Sequence, residues 1–358
     1  MIETIERFIA GMGIWSMSWG QVVMLGVAVA LITLSIRRGI EPLVLLPVGL
    51  GAFMANLPGS VFPAMPDAAT AEVLTFLSRG MAFDLLPLLI MFGIGAMTDL
   101  GPLLTHPRTL LHGVVIQVGV FAALIGAAAI GFPMRESAAI GIIGGVSGPI
   151  AVFFANKLAP HLLGAIAVSS YLGTALVAYL FSRRGEDPAA ADTGERQAAP
   201  PRTPVSRRVR MAFPLAVLLI GVIVAPVVAP ALAMLMGGNL VRESGVVERF
   251  ARIARNELLR ISAIVLGACV GLSMSAASFL RWETAQILVL GTCAAACSAG
   301  VSVLVAKIFP GLEGGSSLRI PGILSDLRTP PAASALGPSM AGMIGTAVTA
   351  GVVLAILG

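Results

Sequence analysis

Charged residues are scarce in this chain. Lys, Arg, Asp and Glu make up 11% of the 358 residues, whereas soluble domains contain about 25%. Hydrophobic residues account for 57% of the chain, and its mean hydropathy is +0.95. So few charges cannot cover a water-facing surface of this size. The composition excludes a soluble enzyme and a disordered protein, and it predicts a polytopic membrane protein.

Cysteine and histidine are equally scarce, with three of each. This number excludes a disulfide scaffold. Cys293 and Cys297 share a helical face, but no histidine or third cysteine lies near them in sequence, so packing between helices is the favoured interpretation. The formal net charge is +5, yet the basic residues lie between apolar runs, where they set membrane orientation. We therefore expect no nucleic-acid binding.

Apolar runs dominate the rest of the chain, and about ten are long enough to be membrane segments. Because a membrane-spanning segment without a closed barrel must be helical, the predicted fold is all-α. The uninterrupted runs are 20–37, 41–57, 82–99, 109–131, 162–182, 212–236, 257–280 and 284–308. Two further runs, 136–156 and 330–357, contain Gly-Pro interruptions. Such sequences predict broken helices, which a membrane tolerates only inside protein or along a wet cavity.

The hydrophilic stretch 183–211 divides the chain into two similar halves. We expect a first membrane repeat at 1–182, beginning with an interfacial helix, a basic cytoplasmic linker at 183–211, and a second, inverted repeat at 212–358. If every run crossed the membrane, this basic linker would lie outside, against the positive-inside rule. The conflict disappears if 136–156 enters and leaves on the same side, as a re-entrant segment.

Several motifs occur in an order that identifies a family. They are Gly39-Ile40-Glu41-Pro42-Leu43, Gly93-Ile94-Gly95-Ala96-Met97-Thr98-Asp99, Ile140-Gly141-Ile142-Ile143-Gly144-Gly145, Lys157-Leu158-Ala159-Pro160 and Gly238-Asn239-Leu240-Val241-Arg242-Glu243-Ser244. The chain resembles the β subunit of the sodium-translocating oxaloacetate, methylmalonyl-CoA and glutaconyl-CoA decarboxylases.

The resemblance implies a multi-pass protein of the cell inner (cytoplasmic) membrane that decarboxylates carboxybiotin and exports Na+. The implied partners are the lipid bilayer, a carboxyltransferase or biotin-carrier subunit and small membrane subunits; self-association into a homo-oligomer is left open. Lys157 and Lys307 are the only lysines, and neither has the Met-Lys-Met setting of a biotin carrier. Biotin is therefore expected on a partner, with no cofactor bound in this chain.

The chain departs from the family at its coupling residues. Ser147 occupies the position of the family's aspartate, and Leu172-Gly173 follow Tyr171 where the family has Ser-Tyr. Further departures are Phe309, Glu313, Leu318, Ser325 and Ser339. A serine supplies one oxygen but no negative charge near neutral pH. We therefore expect the usual sodium pumping to fail or to use an altered ion.

Candidate site residues follow from these breaks. Glu313 is a carboxylate in a membrane segment, so it is a candidate coupling or catalytic group, as is Tyr171. The alternative for Glu313 is a solvated loop at 309–328. Candidate ion or substrate ligands are Gly144, Gly145, Ser147, Gly148, Asn239, Gly314, Gly315, Ser316, Ser317 and Ser339. A monovalent cation would bind near Ser147.

Purely structural interpretations of these candidate ligands remain open. The glycines also suit close helix packing, and Asn239 also suits a simple chain turn at the interface. For the whole chain, the alternative function is a freestanding secondary transporter of an organic anion on the same scaffold.

Overall fold

The computed structural model describes residues 17–38, 42–58, 84–105, 110–182, 205–308 and 333–357. Within these ranges the secondary structure is helical and contains no strand, which confirms the predicted all-α class. The expected N-terminal interfacial helix, most of the linker and the glycine-rich stretch 310–321 lie outside the described residues.

The helices are numbered here in chain order. The first half contains α1 (Trp19–Arg38), α2 (Pro42–Ala55), α3 (Leu85–Met97), α4 (Gly101–Thr105), α5 (Leu110–Ile130), α6 (Met134–Gly141), α7 (Gly148–Leu158) and α8 (Leu163–Ser182). The second half contains α9 (Arg207–Val224), α10 (Ala229–Ser244), α11 (Glu248–Ile253), α12 (Leu259–Leu272), α13 (Ala276–Phe279), α14 (Trp282–Ile308) and α15 (Ala333–Leu357).

Length and composition suit several of these helices to a bilayer. Among the described residues, four segments are long and apolar enough to cross it: Trp19–Arg37, Gly113–Ile130, Trp282–Ser302 and Met340–Leu357. Pro42–Ala55 and Leu85–Met97 are shorter apolar helices. Large apolar side chains such as Ile125, Leu219 and Ile223 are exposed on the sides of these helices. A multi-pass membrane protein is therefore confirmed, while the number of about ten segments stays a prediction.

Two of the predicted runs have a different structure. The run 212–236 is not one helix, because α9 ends at Val224 and a 3₁₀ turn begins at Pro226. Proline lacks a backbone donor and forces the residue before it, Ala225, into an extended conformation. Conversely, α15 continues through Gly337 and Pro338, where we expected a break. Proline is tolerated in membrane helices when surrounding groups satisfy the freed carbonyl.

Ion pairs define the two ends of the helix bundle. At the linker end, Arg210 lies 3.3 Å from Glu243, and Arg242 lies 3.5 Å from Asp99. At the far end, Lys157 lies 2.7 Å from Asp84. Asp84 precedes α3 and Asp99 follows it, so these two groups of residues mark opposite ends of the bundle. The arginine-rich segment 242–260 therefore begins at the linker end.

The segment 134–158 enters and leaves the bundle at the far end. Glu136, in the first turn of α6, lies 3.2 Å from His161, which follows α7. Lys157, in the last turn of α7, is held at the same end by Asp84. Helices α6 and α7 are thus the two arms of a re-entrant hairpin, as the charge distribution predicts. This hairpin is almost completely buried, including Phe153 and Phe154.

Helix pairings between the two halves are exchanged. Helix α2 packs closely on α12, and α10 packs closely on α3. The backbones approach so closely that a Cβ atom on Gly51 would collide with the Ala268 carbonyl, and one on Gly95 with the Leu235 carbonyl. In the same way α8 packs on α14 while α15 packs on α5. This exchange is the pattern that two structural repeats produce.

Corresponding helices run in opposite directions. Helix α3 runs from the far end to the linker end, whereas α12 begins at Leu259, after the linker-end residue Arg242, and ends at Leu272, next to Ser273. Ser273 lies beside Gly164, at the far-end start of α8. Opposed directions are those of inverted repeats, which transporters commonly contain. The division of the chain into 1–182 and 212–358 remains a proposal that these pairings support.

Candidate functional site

The tip of the re-entrant hairpin is an irregular turn in the middle of the bundle. A 3₁₀ turn at Ile142–Gly145 follows α6, and Val146 then adopts φ 54° and ψ 38°. A left-handed conformation is rare for a β-branched residue and marks a strained position. Ser147 is extended and precedes α7. The sequence correctly places a backbone break at residues 144–149.

Hydroxyl groups from both long helices of the second half reach this turn. Ser298 Oγ of α14 donates to the Gly144 carbonyl oxygen at 2.7 Å. Thr346 Oγ1 of α15 donates to the Gly145 carbonyl oxygen at 3.4 Å. Gln117 Nε2 of α5 donates in turn to Thr346 Oγ1, also at 3.4 Å. The turn is therefore held by hydroxyl groups from α14 and α15, and Gln117 of α5 contacts the second of these hydroxyls.

Sequence analysis did not identify Ser298, Thr346 or Gln117. Isolated hydroxyl and amide residues in apolar helices are common packing elements, so their type alone indicates no site. Their significance depends on which carbonyl oxygens they face, and the sequence does not reveal that.

The three glycines of the turn make room for their neighbours. A side chain on Gly144 would collide with the backbone of Gly119, and one on Gly145 with the side chain of Thr346. A side chain on Gly148 would collide with the ring of Tyr171. Close packing accounts for these positions, and their predicted role as ligands stays a prediction.

Ser147 combines burial with an unused oxygen. Its side chain is 1% exposed, and its Oγ has no hydrogen-bond partner among the described residues. Gln117 Oε1 is another buried oxygen without such a partner. A buried polar atom left unpaired costs about 1–3 kcal/mol, and such atoms often mark the place of a water or an ion. The turn thus offers neutral oxygens of the kind that bind alkali cations.

Tyr171 is also buried beside the turn, with its ring against Gly148. Its predicted coupling or catalytic role stays a prediction. The neighbouring Ser169 Oγ donates to the Ile287 carbonyl at 3.0 Å, which ties α8 to α14. Tyr171 is thus positioned to shape the site.

The centre of the bundle contains no acidic residue among those described. The described acidic residues lie at helix ends or in the π turn at Ala254–Leu258; they are Asp84, Asp99, Glu136, Glu243, Glu248, Glu257 and Glu283. No group of three His, Cys, Asp or Glu residues in the described ranges is arranged to hold a metal ion.

Asn239 lies at the linker end, with the Arg242–Asp99 pair, rather than at the turn. Its Nδ2 donates to the Thr98 carbonyl at 2.8 Å and to the Gly95 carbonyl at 3.3 Å. It therefore caps the end of α3 by donating to the Thr98 carbonyl, and it gives the Gly95 carbonyl a second donor beside the Thr98 backbone N–H. Its Oδ1 is buried without a partner in the described part of the chain.

Asn56 performs the equivalent task at the far end and was missed by the sequence analysis. Its Nδ2 donates to the Met274 carbonyl at 2.8 Å, and its Oδ1 accepts from the Ala276 backbone N–H at 2.8 Å. Asn56 and Asn239 thus terminate α12 and α3, the two helices that correspond in the exchanged pairs.

The second predicted half of the site is largely outside the described residues. This applies to Glu313, Gly314, Gly315, Ser316 and Ser317. Ser339 lies within α15, seven residues before Thr346. The role of Glu313 as a coupling or catalytic group stays a prediction.

Comparison with known proteins gives consistent matches over the whole chain. The family "Na+-transporting oxaloacetate decarboxylase beta subunit" matches residues 20–317. The chain is 37% identical to glutaconyl-CoA decarboxylase subunit beta of Acidaminococcus fermentans, covering 100% of this chain and 98% of that protein. It is 37% identical to methylmalonyl-CoA decarboxylase subunit beta of Veillonella parvula, covering 99% and 97%. Oxaloacetate decarboxylase beta chain 2 of Salmonella typhimurium is 34% identical, with 99% of both chains covered.

Proposed function

The chain belongs to the β-subunit family of the Na+-transporting oxaloacetate decarboxylases, and we propose that it is the membrane-embedded subunit of a biotin-dependent decarboxylase complex. Similarity at full length to β subunits supports this function. The alternative of a freestanding organic-anion transporter is not favoured, because no part of the chain lies outside these matches. The relatives act on three different acids, so similarity does not select the carboxyl donor.

The re-entrant turn is the observation on which the proposed mechanism rests. It places irregular backbone and the buried oxygen of Ser147 at the contact of α5, α14 and α15. Irregular backbone at membrane depth is tolerated where it lines a path or is buried in protein. We therefore assign the cation path to this turn, with Ser147 Oγ as one ligand.

A cation bound there meets oxygens without negative charge. Ser147 cannot exchange a cation for a proton, because its hydroxyl does not titrate between about pH 6 and 8. Coupling between the cation and the proton consumed on decarboxylation then needs another carboxylate or does not occur. This is the reason for expecting an altered coupling or an altered ion.

The described residues agree with a biotin group carried by a partner. Lys157 forms an ion pair with Asp84 and lies 4.9 Å from the centre of the Phe153 ring. A lysine held in this way is a poor site for biotin attachment. The proposed partners are a carboxyltransferase or biotin-carrier subunit and small membrane subunits, in the cell inner membrane.

A pull-down from native membranes tests the proposed complex. Tagged chain should bring a biotinylated polypeptide at constant stoichiometry, detected with streptavidin. The isolated complex in proteoliposomes should then decarboxylate its acid and show cation flux that avidin stops. The absence of any biotinylated partner in gentle detergent, together with cation or anion flux by the isolated chain, would contradict the proposal.

Glu313 is the proposed source of the missing carboxylate. If it supplies the proton-linked group, Glu313→Gln should remove the pH dependence of cation flux while leaving biotinylated partner binding intact. Glu257→Gln, which changes an exposed carboxylate in the π turn, is the matched control. Flux by Glu313→Gln with an unchanged pH profile would show that 309–328 is a solvated loop instead.

A further inference from the structure

Arginines along the helical segment 248–264 fall into two groups. Arg255 is paired with Glu248, at 3.5 Å. Arg249, Arg252 and Arg260 are exposed and have no ion pair within the described ranges. Three unpaired arginines on one segment are unusual in a chain with so few charges, and they leave basic surface available to an anionic ligand.

The π turn at Ala254–Leu258 aligns these residues on the helix surface. Two turns of α-helix take about seven residues, and a π turn adds one residue to this number. Residues eight apart across the turn therefore face the same way. Arg252 and Arg260 are both exposed, whereas Ala251 and Leu259, one residue earlier, are both buried.

An apolar stripe lies next to the arginines. Ile253 and Ile261, again eight apart, are 46% and 61% exposed. Phe250 and Ile264 extend this stripe in both directions and are about half exposed. Since Ile261 and Ile264 belong to α12, the stripe continues from the side of a bundle helix onto α11. A surface of this kind lies against acyl chains.

The position of the segment fits the headgroup region of the membrane. It follows Arg242 and Glu243, which mark the linker end of the bundle. The polar region of a bilayer leaflet is about 5–7 Å thick, so arginines spread over two turns span it. The aliphatic part of the Arg260 side chain can lie along the hydrocarbon edge while its guanidinium group reaches the headgroups. Arg249 and Arg252 lie farther from the bilayer centre.

We propose that Arg252 and Arg260, with Arg249, bind the headgroup of an anionic phospholipid whose acyl chains lie along Phe250, Ile253, Ile261 and Ile264. The guanidinium groups match the phosphate, because they donate several hydrogen bonds in a fixed plane. The apolar stripe beside them favours a lipid over a soluble acidic protein. Glu257, which lies between the two arginines in sequence, is exposed and has no ion pair among the described residues, so it lowers the net positive charge of the site.

Lipid competition on the purified chain tests this site. Chain in mild detergent is exposed to equal amounts of phosphatidylglycerol and phosphatidylcholine, and bound lipid is counted by native mass spectrometry. The wild type should retain phosphatidylglycerol preferentially. The double variant R252Q/R260Q should lose about tenfold or more of this preference, as expected when two arginine contacts to a phosphate are removed.

Matched variants separate the site from general charge effects. R135Q/R281Q removes two exposed arginines from the far end and should keep the preference, and R252K/R260K should keep part of it. Equal binding of both lipids by the wild type would overturn the proposal, as would an equal loss in R135Q/R281Q. The same double variant is also isolated as the complex from native membranes. If R252Q/R260Q then loses partner subunits while its lipid preference is unchanged, the surface binds protein and the lipid site is wrong.

Discussion

Ser147 shows how one residue type decides the chemistry that the re-entrant turn can support. The turn around it is held by hydrogen bonds from Ser298 and Thr346, so the architecture does not depend on the residue at position 147. A carboxylate there would add charge and a titratable group, whereas a hydroxyl adds only one weak ligand. Structure and coupling are therefore separable at this position.

Replacing Ser147 with alanine tests its role as a ligand. The change removes one buried oxygen without a partner, so the chain should fold normally. Half-maximal Na+ concentration for decarboxylation by the complex should rise about five- to thirtyfold, the equivalent of a lost contact of about 1–2 kcal/mol.

The control for this variant is Ser137→Ala, in the same hairpin. Ser137 Oγ donates to the Phe132 carbonyl at 3.0 Å near the far end, away from the turn. Its replacement should leave the Na+ dependence unchanged. An identical Na+ dependence in Ser147→Ala and wild type would remove Ser147 from the cation path.

Two helices end at asparagine side chains that the sequence did not identify as helix caps. Asn56 and Asn239 each satisfy backbone groups at the end of a parallel neighbouring helix. The two differ in completeness, since Asn56 uses both its carbonyl and its amide, whereas Asn239 Oδ1 has no partner among the described residues. A fully used amide contributes more to stability than a partly used one.

This difference predicts the stability of two alanine variants. Asn56→Ala leaves both a buried carbonyl and a backbone N–H without their partner, at about 1–3 kcal/mol for each group. Asn239→Ala also frees carbonyls but removes its own unpaired oxygen, so its net cost should be smaller. Unfolding temperatures in detergent should fall further for Asn56→Ala, and the reverse order would contradict the assignment of Asn56 as the complete cap.

At the scale of the whole molecule, the re-entrant hairpin reconciles topology with charge. Because 134–158 returns to the far end, the linker emerges on the side of Arg210 and Arg242. We infer from the positive-inside rule that this side faces the cytoplasm. The same arrangement gives corresponding helices of the two halves opposite directions, as in inverted repeats.

Cysteine labelling checks this topology. In a chain whose Cys269, Cys293 and Cys297 are replaced, Arg135→Cys and His161→Cys should react with an impermeant maleimide from outside intact cells. Arg208→Cys should react only after the membrane is opened. Labelling of Arg135→Cys and His161→Cys from opposite sides would mean that the segment crosses the membrane and that the hairpin is wrong.

Hydrophobicity and backbone chemistry made much of this protein predictable from sequence. The scarcity of charge requires a membrane environment, apolar runs of sufficient length become helices, and the glycines before Pro149 prevent a continuous helix. The family follows from motifs such as 93–99 and 140–145, because they are local and ordered.

Only the tertiary structure decided what depends on distant contacts. Pro226 ends a helix while Pro338 lies inside one, because the outcome depends on the groups available around each proline. Ser298 and Thr346 are ordinary helix residues until packing brings them to the carbonyls of Gly144 and Gly145. Asn239 donates to a carbonyl at the end of a neighbouring helix, and its predicted role as a ligand stays a prediction. Such partners lie more than a hundred residues apart, so no local pattern specifies them.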